Sequence, residues 1–202
     1  MTDEGEHYVL CADDDSLTKA IIAIKSSSII MLDCEGVDLG VPGGALSLIS
    51  LRTPGNPTTY LVDAVTLSNN KLRPLFDIIQ STSPPKIVFD GRMDFSELYH
   101  SYSVRMDGVL DVQLADVHSR RQRGEDEDDQ LQRLSPYLYR REVFGQHTSY
   151  AAVHRLCGLD QCVREHKLIA DDDSRRTMSE FTPIAPNTSD SDYILQSTTL
   201  LG

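Results

Sequence analysis

The chain has 202 residues, 40% of them hydrophobic and 25% charged. That balance suits one globular domain, and excludes a collagen, a coiled coil and a chain disordered throughout. Lys and Arg number 19 against 31 Asp and Glu, a net charge of −12, which argues against a module that holds nucleic acid by basic charge alone but not against one whose own metal ions neutralise a phosphate.

No apolar run approaches the ~20 residues of a membrane span. The start, MTDEGEHYVL, lacks the basic and apolar regions of a secretory leader. Cys11, Cys34, Cys157 and Cys162 form no CxxC pair. They read as buried free thiols of a reducing compartment. An intracellular protein, of cytoplasm or nucleus and without membrane contact, is expected.

Tyr8–Cys11 reads as a strand. Asp15 or Ser16 can cap a helix through Leu17, Ala20, Ile21 and Ile24, which ends at Ser26–Ser28. The run Ile29–Leu32 is a buried strand leading into Asp33-Cys34-Glu35-Gly36. A loop over 38–44 precedes a strand over Ala45–Leu51, with Leu46, Leu48 and Ser50 alternating against Ser47, Ile49 and Leu51. Pro54–Pro57 is a turn, and Thr59–Val62 completes a meander. Leu72, Leu75, Phe76 and Ile79 mark a helix, stopped by Ser83-Pro84-Pro85. Lys86–Phe89 is a strand, and a helix through Phe95, Leu98 and Tyr99 follows the turn at Gly91. Val109-Leu110 is a short strand, and Asp111 opens a helix carrying Leu114, Val117 and His118. A meander followed by alternating strands and helices predicts an α/β fold, a mixed sheet with helices on both faces.

The block over 120–129 reads as a solvated loop. Leu131, Leu134, Leu138 and Val143 suggest helical turns interrupted at Pro136, and 150–166 reads as helix, turn at Gly158, helix. Residues 170–202 are polar and without periodicity, a tail or a degenerate end of a domain spanning 1–169.

Asp33 and Glu35 fall two apart on a strand and so share a face. Two carboxylates side by side repel unless a cation lies between them or one is protonated, so the pair is a seat for a hard divalent cation. Asp94 falls in the first turn of the helix after Gly91, where a carboxylate also favours the helix dipole. No phosphate-cradling GxxxxGK[ST] or GxGxxG loop and no GxSxG elbow occurs. Lys86, Arg92, Arg105, Arg120, Arg121 and Arg123 are candidate contacts to a nucleic-acid backbone. The plainer reading is surface charge balancing the acids.

The segments IMLDCEG, GALSLISLR, TYLVDAV, KIVFDGRMDFSELYH and VLDVQLAD, in that order, resemble the DEDD 3′–5′ exonuclease superfamily, in its RNase D-like branch. The resemblance covers about residues 8–166, most densely 29–118. It implies a ribonuclease H-like fold and hydrolysis of terminal phosphodiesters in nucleic acid, RNA or DNA, with two Mg²⁺ or Mn²⁺ ions. The D-x-E motif is matched by Asp33 and Glu35. The second motif is matched by Asp94, with Phe89 where the family commonly has His. Asp190 in Asp190-Ser-Asp192-Tyr-Ile-Leu195 matches the fourth carboxylate, Asp192 being the alternative. The family's Tyr or His four residues earlier is replaced by Pro186, or by Thr188 on the second alignment. The resemblance therefore implies Asp33, Glu35, Asp94 and Asp190 as catalytic metal ligands, or else an inactive module that keeps the fold to bind nucleic acid or protein.

Overall fold

A computed structural model describes residues 7–150 and 152–168, which fall into two compact units divided between Asp111 and Val112. The first runs β1 (His7–Cys11), α1 (Asp14–Lys25), β2 (Ile30–Val37), β3 (Ala45–Arg52), β4 (Thr58–Asp63), α2 (Asn69–Gln80), β5 (Lys86–Val88), α3 (Arg92–Tyr102) and β6 (Val109–Asp111). The strands form one mixed sheet in the order β1-β4-β3-β2-β5-β6. β2, β3 and β4 are the antiparallel meander, while β1 joins β4, and β5 joins β2 and β6, in parallel.

Its core is Leu17, Ala20 and Ile24 of α1, Ile30, Leu32 and Cys34 of β2, Ile49 and Leu51 of β3, and Leu72, Leu75, Phe76 and Ile79 of α2. α1 starts two or three residues earlier than Asp15 or Ser16 would set it. Asp13 is the cap, its carboxylate accepting the Ser16 N–H at 2.8 Å in a capping box. Strict alternation in β3 also fails, since Leu46, Ile49 and Leu51 are the buried positions. The register explains it: Glu35 pairs with Leu48 and Gly36 with Leu46, so Ser47 is an extra residue, and a bulge inverts the faces beyond it. Gly36 allows the close approach, because a Cβ there would lie 2.2 Å from the Ala45 carbonyl oxygen.

Lys86 is no surface charge. It is fully buried at the start of β5, and its ammonium donates to the carbonyls of Ile78 and Ser81 at the end of α2. It satisfies the last carbonyls of that helix and its dipole.

The second unit holds α4 (Val112–Gln122), α5 (Glu127–Leu134), α6 (Arg140–Gly145), α7 (His147–Tyr150) and α8 (Leu159–Glu165). Leu131, Leu134 and Val143 form its apolar cluster, while Leu138 is exposed. The expected loop over 120–129 is instead the end of α4, a turn and the start of α5, with Asp126 and Asp129 as capping box. Arg120 is buried against Asp116, so charge there belongs to a packed ion-pair network. Residues 152–158 are irregular and only α8 of the expected helix pair follows Gly158. α4 buries Gln113, Asp116 and Arg120 and leaves Leu114 exposed, the reverse of what its apolar residues predict. Among the described residues no helix is long and apolar enough to cross a membrane.

Candidate active site

β2 alternates as its sequence requires. Ile30, Leu32 and Cys34 are buried, and Asp33 and Glu35 stand half-buried on the other face. The bulge lies between Glu35 and Gly36, at the end of this pair.

Asp94 reaches the pair from α3. After β5 the chain turns through Asp90, whose φ of 55° is left-handed, and Gly91, where a Cβ would lie 2.7 Å from a Val88 methyl. The Asp111 carboxylate holds this turn, accepting the N–H of Asp90 at 3.2 Å and of Gly91 at 3.1 Å. Arg92 pairs bidentately with Asp90, at 2.5 and 2.9 Å. α3 then buries Asp94, Glu97 and Leu98, while Phe95 and Tyr99, which mark the helix in the sequence, stack on each other in the open. Residues three and four apart share a helix face, and this helix turns its acidic face inward.

The electrostatics follow from that packing. Burial, then the charges of Asp33, Glu35, Asp90 and Asp111, push the Asp94 carboxyl up to about 8. Burial also raises Asp33. Cys34, between the paired carboxylates, is raised by burial and then by Asp94, Asp33 and Glu35. Oxygen donors of this density suit a hard divalent cation and would be relieved by one. The three carboxylates face one another more loosely than a metal-bound set. Among the described residues, Asp116, Cys162 and His166 are the group whose donor atoms all lie within 4.8 Å.

Asp190 and Asp192 lie outside the described residues. Two contributors escaped the sequence reading. Asp111 looked like the start of a helix rather than the clamp on a turn. Glu97 is 2% exposed; it accepts the Gly40 N–H at 3.0 Å, while the neighbouring Ser96 hydroxyl donates to the Gly40 carbonyl at 2.7 Å. These bonds pin the loop after β2 to α3. Glu97 Oε1 has no hydrogen-bond partner among the described residues. The three-residue step from Asp94 to Glu97 was the available signal. Three of the five candidate arginines are engaged by carboxylates: Arg92 by Asp90, and Arg120 and Arg123 by Asp116.

A model of the 3′–5′ exonuclease family matches residues 8–137. No curated protein matches the chain. Among solved structures, the Nibbler EXO domain of Aedes aegypti is 20% identical, with a TM-score of 0.52 over 61% of this chain and 61% of that one. Escherichia coli RNase D, an exoribonuclease involved in structured RNA processing, is 16% identical, with a TM-score of 0.50 over 86% of this chain and 54% of that one. Trypanosoma brucei RNase D in its GMP complex is 23% identical, with a TM-score of 0.50 over 55% of this chain. The chain spans about a third of that protein's length, 34%. At these identities the likeness is one of fold. The family works with divalent metal ions. The chain belongs to the 3′–5′ exonuclease family, and its fold is that of RNase D-like members.

Proposed function

We propose that this chain is a metal-dependent 3′–5′ exonuclease module in which Asp33, Glu35 and Asp94, with Asp190 as the fourth carboxylate, hold two Mg²⁺ or Mn²⁺ ions at the 3′ end of RNA. The observation that carries the reading is the burial of Asp94 near Asp33 and Glu35, with its proton affinity raised first by that burial and then by their charge. Such a cluster is costly in the metal-free fold and fits a dication. When bound, such a pair of ions lowers the pKa of an attacking water and stabilises the leaving 3′ oxygen. Four carboxylates and two dications sum to zero, so a phosphodiester meets no net anion. β2 fixes Asp33 and Glu35 as a rigid pair. Asp111 fixes the turn that delivers Asp94. RNA as the substrate rests on likeness to E. coli RNase D, an exoribonuclease.

A second reading, a module with this fold and no turnover, is favoured by Pro186 and Thr188, which stand where a Tyr or His would orient water. One assay separates the two. The full chain is incubated with a 5′-labelled single-stranded oligoribonucleotide and Mg²⁺ or Mn²⁺, beside a DNA oligonucleotide. A ladder shortening from the 3′ end, lost with EDTA and in Asp33→Asn, is expected. Equal products from Asp33→Asn and wild type, or none from folded wild type, overturn the enzyme reading.

A further inference from the structure

In the unit formed by residues 112–168, four metal-ligating side chains gather around Asp116. A carboxylate oxygen of Asp116, the Cys162 Sγ and a ring nitrogen of His166 lie within 4.8 Å of one another. The Cys157 Sγ is 3.3 Å from Asp116 Oδ2 and hydrogen-bonded to the Cys162 thiol. Asp116 and both cysteines are buried, and His166 is exposed. Cys162 on α8 and His166 at its C-cap are four apart, on one face. Cys157 lies in an irregular segment tied to α4: Gln113 Nε2 donates to the Cys157 carbonyl at 3.0 Å and Arg120 to the Arg155 carbonyl at 2.7 Å.

We propose that this cluster is a structural site for a transition-metal dication of the zinc class, ligated by Cys157, Cys162, His166 and Asp116. Four residues separate the cysteines and three separate Cys162 from His166, within the spacing that zinc sites use. Two sulfurs and an imidazole select zinc over Mg²⁺ or Mn²⁺. Tetrahedral zinc, with bonds of ~2.0–2.3 Å, places its donors roughly 3.3–3.8 Å apart. Asp116, Cys162 and His166 need to contract by roughly 1–1.5 Å to reach that spacing, and Cys157, 3.3 Å from Asp116 Oδ2, joins them from outside that group.

An ion-pair network explains only part of the arrangement. Arg120 and Arg123 donate to the two oxygens of Asp116 at 2.7 and 2.9 Å. That accounts for the buried carboxylate. His166 Nε2 joins the network 3.0 Å from Asp116 Oδ1, and the Cys157 thiol donates to Asp116 Oδ2 at 3.3 Å; an ion-pair network has no need of two buried cysteines at the same group. With both thiols ionised, the ligands carry −3 and the zinc +2. The two guanidiniums then act as outer partners that orient Asp116. Arg123 Nη1, 2.5 Å from His166 Nε2, has to withdraw when that nitrogen binds the ion. Burial and Asp116 hold the Cys157 thiol up at about 12, so these are not reactive thiolates. The ion would fasten the 152–168 segment to α4, in a unit whose apolar cluster among the described residues is Leu131, Leu134 and Val143.

Cobalt titration of the full chain, under a phosphine reductant, tests this. One equivalent of Co²⁺ is expected to give a thiolate-to-cobalt charge-transfer band and tetrahedral visible bands, bleached by Zn²⁺ and unmoved by excess Mg²⁺. Cys162→Ser and His166→Asn are each expected to weaken binding about tenfold or more. Cys34→Ser and Asp33→Asn are expected to keep the spectrum. His166 is exposed, so its variant serves if Cys162→Ser does not fold. Folded wild type without the band, or a band that survives replacement of Cys157 and Cys162 by serine together, overturns the proposal.

Discussion

Asp111 and Gly91, 20 residues apart, are joined by a hydrogen bond of 3.1 Å from the Gly91 N–H to the Asp111 carboxylate. The same carboxylate takes the Asp90 N–H, so one side chain at the end of β6 holds both backbone donors of the turn that launches α3. Backbone amides held by a charge are the stronger kind of hydrogen bond.

Asp111→Ala leaves both donors without that partner in a half-buried turn. A loss of about 1–2 kcal/mol in urea unfolding is expected. If the site works as proposed, kcat falls at least tenfold with KM little changed, because Asp94 is displaced while the surface that meets substrate stays. Asp111→Asn, which retains an acceptor oxygen, is expected to be intermediate. An unchanged kcat in Asp111→Ala would remove its positioning role.

Asp94 sets a pH dependence. Its carboxyl is at about 8 in the fold against an ordinary value of 3.8. Between those values the folded chain keeps a proton that the unfolded chain has lost. The stability of the metal-free protein therefore falls as pH rises from about 4 to about 8, by on the order of a few kcal/mol, and levels off above. Asp94→Asn is expected to flatten that slope in EDTA, to be more stable than wild type at pH 7, and to be inactive. Mn²⁺ is expected to raise the wild-type Tm more at pH 8 than at pH 6, because the proton competes with the cation. Parallel slopes for wild type and Asp94→Asn would contradict this.

The loop after β2 is pinned at one glycine. Gly40 has a φ of 74°, and a Cβ there would lie 2.7 Å from the Met93 carbonyl oxygen. Gly40→Ala is expected to cost about 1–3 kcal/mol. Glu97→Ala, which leaves the Gly40 N–H without its acceptor, is expected to cost about 2 kcal/mol and to expose the loop to proteolysis. Thermal unfolding and limited digestion of both variants measure these effects. Wild-type behaviour in both would show that the loop is held by other contacts.

The first unit was legible because its signals agree. An apolar run ending in Asp33 and Glu35, a Pro/Gly-marked meander and the helix-spaced Leu72, Leu75, Phe76 and Ile79 each specify one element, and the family motifs fall on their ends. Where side chains pack against polar partners, the apolar pattern misleads. α3 turns Asp94 and Glu97 inward, and α4 does the same with Asp116 and Arg120. A buried ion pair reads in sequence as surface charge, which is why the 120–129 block looked like a loop. The β3 bulge escaped because its cause is a pairing across to Gly36, which one strand's sequence does not carry. Of the four expected site residues, Asp33, Glu35 and Asp94 fall within the described residues and Asp190 lies outside them.

The most direct measurement is calorimetric titration of the full chain with Mn²⁺ at pH 8. Saturable heat is expected from wild type, weakened at least tenfold in Asp33→Asn and in Asp94→Asn, and unchanged in Cys162→Ser. No heat from natively folded wild type, or one isotherm shared by wild type and Asp33→Asn, would contradict a carboxylate seat for divalent cations on β2 and α3.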